Sequence, residues 1–356
     1  MTVTFKDVAD LAGVSTQTVS RVTNGSDNVS EKTKIRVLAA IEQLGYVPNK
    51  AAQSLKANQN LIGVVSLNMS FHGAGMINNG IRLRAHELGY ATAIAAVDNV
   101  CEQEIESAVR ELIGQKVSSI VLNIPVSATF AELLTQKYNQ YDLLFIDVPK
   151  QANVHRVCSA NRAGATLGAE HLLAQGRQRF LLITGPAESY ASSARCETWQ
   201  AVLTAANATI VGIQQGNWLA AGGYQAMCAA LAQTRFFDAV LVANDQMALG
   251  VLRALHEHGI DVPNTVAVVG FDGTEDSEFF LPPLTTVKQN FTEHGRIAVD
   301  QVLHLVDDGQ PLDVELDVAL ITRVSSMTSA APSVNVANSD NVAQAKQLLE
   351  QAMRLL

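Results

Sequence analysis

Apolar positions along the chain follow two successive rhythms. Over the first fifty residues they recur at helical spacing. Phe5, Val8, Ala9 and Ala12 share one face of a helix that Gly13 stops. Ser15 caps a second helix from Thr16 to about Thr23, ended by Asn24 and Gly25. Ser30 caps a third, Glu31 to Leu44, with Ile35, Leu38, Ile41 and Leu44 as its apolar stripe and Gly45 as its stop. From residue 60 the rhythm changes to short apolar runs alternating with helical stretches. Leu61 to Leu67, Ala91 to Val97, Ser118 to Ile124 and Leu143 to Val148 form one series, with helices near 76–89, 102–115 and 128–139. Arg179 to Thr184, Thr209 to Gln214, Ala239 to Ala243 and Val266 to Gly270 form a second, with helices near 161–175, 192–206, 220–232 and 245–258. Near-continuous apolar strands with helical crossovers predict an α/β core of two similar parallel-sheet subdomains, each sheet covered on both faces.

The amino-terminal pattern is more specific than a helical hairpin. Only Gly13 and Val14 separate the first helix from the Ser15 cap, so the helices must cross steeply, with small Ala9 at the crossing and Val19 between them. This is a helix-turn-helix with a supporting third helix. Its second helix exposes Thr16, Gln17, Ser20 and Arg21; Gln can read adenine bidentately, Arg can read guanine, and short hydroxyls reach phosphates. After it, Asn49 can cap a short helix in which small Ala51 and Ala52 let two copies pack closely and Leu55 forms an apolar wedge. So short a helix needs a partner and DNA to fold against.

In open parallel sheets, ligands sit beyond the carboxyl ends of strands. The residues following each run are 68–77, Asn123, Asp147, 185–195, Asn244-Asp245 and Asp272. They are polar and mixed, without a dinucleotide or phosphate loop, a nucleophile elbow or a zinc motif, so an enzyme on this fold is the weaker reading. Carboxylates, amides, an Arg and an aromatic platform such as Trp218 suit a small polyol. Taken singly, Trp218 could be core, and Asp147 or Asp272 a helix cap. Convergence at strand ends is what favours a ligand site.

Composition narrows the class. The chain of 356 residues is 48% hydrophobic and 17% charged, a globular balance. It has no apolar stretch of membrane-spanning length and does not open with a signal-peptide layout, which predicts a cytoplasmic protein and opposes a transport binding protein. Cys101, Cys158, Cys196 and Cys228 lie far apart, so neither a disulfide framework nor a metal site is expected, and no cofactor is implied. The net charge of -9 argues against DNA only as an average. Residues 1–59 carry seven basic groups against five acidic ones; the remainder carries 18 against 29. DNA affinity depends on local phosphate contacts, so a basic head on an acidic body is compatible with DNA binding.

The stretches DVADLAGVSTQTVSRVTNG, YVPNKAAQSL, LVANDQMALG, VVGFDGTEDS and PPLTTVKQNF occur in order over nearly the whole chain, and with them the sequence resembles the lactose/galactose repressor family of bacterial transcription factors. The resemblance implies a core like the periplasmic sugar-binding proteins and a dimer on a palindromic double-stranded operator. It further implies a repressor of a lactose-utilisation operon, released from DNA by a galactoside inducer. A different sugar or a purine is the alternative ligand. By motif, Thr16, Gln17 and Arg21 fall on base-reading positions and Ser15, Thr18, Ser20, Asn24, Ser30 and Thr33 near phosphates. Asn49, Ala52 and the wedge Leu55 fall on the DNA-contacting hinge. Around the inducer the resemblance selects Phe71, Gly73, Ala74, Ile77, Asn123, Asp147, Arg195, Trp218, Asn244, Asp272, Gln289 and Phe291. Arg195, Asn244 and Asp272 would hold one edge of the sugar, Asp147 its other end, and Trp218 with Phe291 its apolar surfaces. The sequence departs from lactose-responding members at Thr16, where a tyrosine is usual, at Ala191, where a pocket serine is usual and a hydrogen bond is lost, and at Ser193, where an arginine is usual.

The domain organisation expected is a head over 1–49, a hinge helix and linker over 50–59, a two-subdomain core over 60–323, a Ser/Ala/Asn-rich flexible linker over 324–341 and a tail helix over 342–356. Val342, Ala345, Leu349, Ala352 and Leu356 alternate spacings of three and four, a coiled-coil seam or the apolar face of a helix docked on its own core. The resemblance implies that this helix joins two dimers into a tetramer.

Overall fold

A computed structural model of the chain describes residues 3–23, 28–46, 60–67, 71–305 and 310–327. The expectations for Asn24, Asn49, Ala52 and Leu55, and for the seam residues Val342, Ala345, Leu349, Ala352 and Leu356, lie outside the described residues. The chain divides into two units, residues 1–60 and 61–356.

Among its described residues the first unit has three helices, α1 (Phe5–Ala12), α2 (Thr16–Thr23) and α3 (Glu31–Leu44). Thr4 and Asp7 form a capping box at α1: Thr4 Oγ1 accepts from the Asp7 amide, and Asp7 Oδ2 accepts from the Thr4 amide at 2.7 Å. Gly13 adopts the left-handed conformation, with φ 62°, that reverses the chain into α2. Ser15 Oγ then accepts from the Thr18 amide at 3.2 Å, capping α2 as its position demands. Val8, Ala9, Val19, Val22, Val37, Ala40 and Tyr46 close a small core. Two expectations for α3 are corrected. Ile35 and Leu38 are 62% and 48% exposed; Ile41 and Leu44 pack inward as expected, joined by Val37 and Ala40. Positions 37, 40, 41 and 44 follow the i, i+3, i+4, i+7 spacing of one helical face, whereas a strict three-residue spacing from 35 drifts around the helix and leaves Ile35 and Leu38 off it. Ser30 stands at the N-cap of α3 but pairs its hydroxyl with Thr33 Oγ1 at 2.9 Å and makes no side-chain cap bond.

The second unit holds two six-stranded sheets. The first is ordered β2-β1-β3-β4-β5-β11, formed by β1 (Leu61–Leu67), β2 (Ala91–Val97), β3 (Ser119–Pro125), β4 (Asp142–Asp147), β5 (Arg156–Ser159) and β11 (Asp313–Leu316). The second is ordered β7-β6-β8-β9-β10-β12, formed by β6 (Arg179–Thr184), β7 (Thr209–Gln215), β8 (Ala239–Val242), β9 (Ala267–Asp272), β10 (Thr285–Lys288) and β12 (Ala319–Ile321). All pairings are parallel except β10 with β12. Helices α4 (His72–Glu87), α5 (Glu102–Gly114), α6 (Ala128–Lys137), α7 (Asn161–Ala174), α8 (Tyr190–Ala205), α9 (Ala220–Gln233), α10 (Asp245–Glu257) and α11 (Phe291–Val302) cover the sheets. The central strands β3, β8 and β9 are buried along their whole length, which explains their near-continuous apolar runs.

Four strands and one helix exceed the sequence expectation of four strands per sheet. β5, β10 and β11 are four residues long and partly polar, and β12 is only three residues long, so no apolar run marks them. These short elements carry the chain between subdomains: from β5 into α7, from β10 into α11 beside α4, and from β11 into β12. Close packing of α11 on α4 depends on glycine: a Cβ on Gly80 would lie 2.1 Å from the Thr292 carbonyl oxygen, and one on Gly295 equally close to that of Ile77. The linker expected from residue 324 is also corrected. Ser325 and Ser326 are buried against β9 and β10, with Ser325 exchanging bonds with Val268 and its hydroxyl accepting from the Thr285 amide. The Ser325 hydroxyl satisfies buried backbone groups and that of Ser326 pairs with Thr285 Oγ1 and His171 Nε2, so serine here serves a packed segment rather than a flexible one.

Candidate functional site

Strand order reverses at β1 in the first sheet and at β6 in the second, so each sheet opens a crevice beyond the carboxyl ends of its central strands. The two crevices face one another across a cleft with a cavity of about 150 Å³ between them. Every residue selected for the inducer by resemblance lines this one cleft.

On the amino-terminal side, β1 leads into α4, whose first turn brings Gly73, Ala74 and Ile77 to the cleft wall. Gly73 lies under the Phe291 ring; a Cβ there would stand 3.1 Å from the ring edge. Asn123, at the end of β3, is held by donating to the Ala74 carbonyl at 3.1 Å and to Asn78 Oδ1 at 2.8 Å. Asn78 in turn donates to Ser66 Oγ at 2.8 Å. A fully bonded polar chain of this kind holds its members rigid behind the wall.

On the carboxyl-terminal side the residues are locked more tightly. Arg195 from α8 is buried, donates Nε to Asn161 Oδ1 at 2.9 Å and Nη1 to the Ala243 carbonyl, and stacks 3.7 Å from the Phe271 ring centre. Its Nη1 also lies 3.8 Å from Asp272 Oδ1. Burial pushes the Asp272 carboxyl up to about 8, against the opposing pull of Arg195 and of Gln289, whose Nε2 donates to Asp272 Oδ1 at 2.7 Å. Asn244 caps α10 by accepting from the Met247 amide and donates to the Trp218 carbonyl at 3.0 Å. Trp218 has φ 70° and Asp272 φ 119°, left-handed backbone that non-glycine residues adopt at a cost. The Trp218 indole lies flat on Gly185, where a Cβ would be 2.3 Å from the ring. Thus the aromatic platform exists because residue 185 lacks a side chain.

Asp147 connects the two sides. From the end of β4 it accepts from Ser189 Oγ at 2.7 Å and from the Ala191 amide at 2.9 Å, both at the start of α8 in the other subdomain. Burial raises its pKa, while these two donors oppose the rise. The helix-cap reading of Asp147 is therefore correct in part, although the helix it caps belongs to the opposite wall. The backbone amide of Ala191 and the hydroxyl of Ser189 engage both Asp147 oxygens, while the Ala191 side chain offers the cleft only a methyl group.

Sequence reading missed His72, Ser159, Asn161, Ser189 and His294 among the cleft residues. His72 fell inside the flagged stretch 68–77 and Ser189 inside the flagged 185–195 loop. Ser159 and Asn161 follow β5, and His294 lies in α11, elements without a recognisable run. Asp245, flagged at a strand end, is a strut: it accepts from the Thr274 amide at 2.8 Å and Thr286 Oγ1 at 2.6 Å.

In the head, Ser15, Thr16, Gln17, Arg21 and Ser30 are exposed, and Thr18, Ser20 and Thr33 half-buried. The exposed edge of α2 therefore presents hydroxyl, amide and guanidinium groups together. Among the described residues no cluster suits a metal ion, and no helix is long and apolar enough to cross a membrane.

A helix-turn-helix head and a paired-sheet core with a polar, aromatic-walled cleft define a DNA-binding transcription regulator with a sugar-binding core. Residues 4–49 match the bacterial regulatory proteins of the lacI family, and residues 169–326 the periplasmic binding protein-like domain. The lactose operon repressor of Escherichia coli (strain K12) is 37% identical over 99% of this chain and 98% of that protein. The ribose operon repressor of the same strain is 31% identical over 85% and 93%. A solved structure of the lac repressor dimer bound to operator and the anti-inducer ONPF superposes with a TM-score of 0.85 at 37% identity, covering 92% of this chain and all of the other. The chain belongs to the lacI family: it is a DNA-binding transcriptional repressor, with operator DNA and a sugar effector as partners, and not an enzyme.

Proposed function

We propose that this repressor controls a lactose-type operon and that a galactoside, bound in the cleft, releases it from a palindromic operator. The observation carrying this reading is that acceptors and donors from both subdomains converge on the cleft, with Trp218 and Phe291 as its apolar walls. A sugar touching both walls binds one subdomain arrangement better than another, and the short crossings between subdomains are where the chain would flex. Asp147, Arg195, Asn244 and Asp272 would hold hydroxyls; Thr16, Gln17 and Arg21 would read bases, and Ser15, Thr18, Ser20, Ser30 and Thr33 would contact phosphates. The dimer would be joined into a tetramer by the helix over 342–356. A sugar other than a galactoside is the second reading, favoured by Ala191, a methyl group where lactose-responding relatives hold a serine.

Thermal shifts with galactosides, other sugars and purines test the ligand, because a molecule that binds the folded state raises its stability by mass action. Sugar titration with and without operator DNA tests the release. Linkage requires the two ligands to weaken each other by the same factor, so equal sugar affinities in both titrations would refute the mechanism.

A further inference from the structure

We infer that His294 is a specificity-determining residue of the cleft and that its Nδ1 accepts a hydrogen bond from a hydroxyl of the bound sugar. The inference rests on reading the cleft as a sugar site and adds to it a requirement on one hydroxyl. His294 is buried, lines the cleft and stands one turn after Phe291 on α11. Its Nε2 lies 2.8 Å from the Val157 carbonyl oxygen on β5. A carbonyl only accepts, so Nε2 carries the proton, and the neutral ring leaves Nδ1 with a bare lone pair. Burial keeps the ring neutral by pushing its pKa down to about 4. Among the described residues, nothing donates to Nδ1, which is itself buried.

A buried acceptor without a donor is costly, and such groups in folded proteins call for an explanation. The side-chain amides that line the cleft donate elsewhere: Gln289 Nε2 to Asp272, Asn161 Nδ2 to the Ser159 carbonyl, Asn123 Nδ2 to Ala74 and Asn78, and Asn244 Nδ2 to the Trp218 carbonyl. A sugar hydroxyl supplies the missing donor. A ligand lacking that hydroxyl leaves the acceptor unpaired, and a site built around a buried polar group rejects such a ligand strongly.

The test is calorimetry on the full-length repressor with methyl β-D-galactopyranoside, its four monodeoxy analogues, methyl β-D-glucopyranoside and D-ribose, comparing wild type with His294→Leu and His294→Gln. In wild type, one monodeoxy analogue is expected to bind about tenfold more weakly than the parent, the scale of one hydrogen bond. In His294→Leu the parent falls by about the same factor and the analogue loses nothing further; His294→Gln, whose side-chain oxygen accepts, recovers part of the loss. If each deoxygenation costs the same in wild type and His294→Leu, the inference is overturned. Binding of the glucoside or ribose in place of the galactosides overturns the galactoside reading alone, and the deoxy series of that sugar then decides His294. Operator affinity without sugar reports whether the variants fold. In ¹⁵N-histidine-labelled wild type, the Nδ1 resonance of His294 shifts on saturation with sugar; an unmoved resonance also overturns the inference.

Discussion

Ser189, the N-cap of α8, donates its hydroxyl to Asp147 Oδ2 at 2.7 Å from the opposite wall of the effector cleft. With the Ala191 amide on the other oxygen, the carboxylate meets the positive end of a helix that belongs to the other subdomain. One side chain thereby ties the relative position of the subdomains to the floor of the cleft. Asp147→Ala is expected to lower sugar affinity at least tenfold, because it leaves Ser189 and Ala191 unpaired and frees one wall from the other. Asp147→Asn keeps one acceptor and should fall between. Calorimetric titration of both variants, with operator binding as the control, checks the order.

Stability should depend on pH in opposite directions at two cleft residues. Asp272 is raised to about 8, so the folded state binds the extra proton between the ordinary aspartate range and pH 8, and stability from this group declines as pH rises through that window. His294 is lowered to about 4, so its contribution is present above the ordinary histidine range and declines as pH falls towards 4. Below the ordinary histidine range the two slopes oppose each other, so melting curves from pH 4 to 8.5 are expected to show Asp272→Asn losing the alkaline decline and uncovering the acid one. A profile unchanged on the alkaline side would contradict the assignment.

Gly185→Ala should displace Trp218, since its Cβ would sit 2.3 Å from the indole. The expected result is a large loss of sugar affinity with operator affinity retained and a repressor that no longer releases. Quenching of the tryptophan fluorescence by iodide, rising in the variant, reports the displaced ring.

Gly80→Ala tests packing rather than binding. The new methyl meets the Thr292 backbone, which cannot rotate away, so α11 must move off α4. Overpacking of this kind costs about 1–3 kcal/mol, occasionally more, measurable by urea unfolding.

In the head, removal of residues 1–59 should abolish operator binding and leave sugar binding intact. Gln17→Ala or Arg21→Ala should each cost about 1–3 kcal/mol against the preferred operator and less against random DNA, in competition binding at fixed salt. Equal losses on both DNAs would reassign these residues to the phosphate backbone.

What could be read along the chain was whatever depends on local pattern. Ser15 and Gly13 mark the turn between α1 and α2 because capping and left-handed backbone are properties of single residues. The long central strands announce themselves because both faces are buried, and the strand-end rule then finds Asn123, Asp147, Asn244 and Asp272 without coordinates. The remaining decisions were made by packing between distant segments. Ile35 and Leu38 face outward because α1 and α2 pack on the face of α3 that carries Val37, Ala40, Ile41 and Leu44. β5, β10, β11, β12 and α11 exist because a sheet edge or a neighbouring helix accepts them, and their own sequences are too short or too polar to declare it. Through those elements the fold brings His294 and Asn161 to the cleft and sets Asp147 against a helix in the other subdomain. A residue's local sequence carries its backbone preference and its burial, but which distant group it meets follows from how the two sheets are joined.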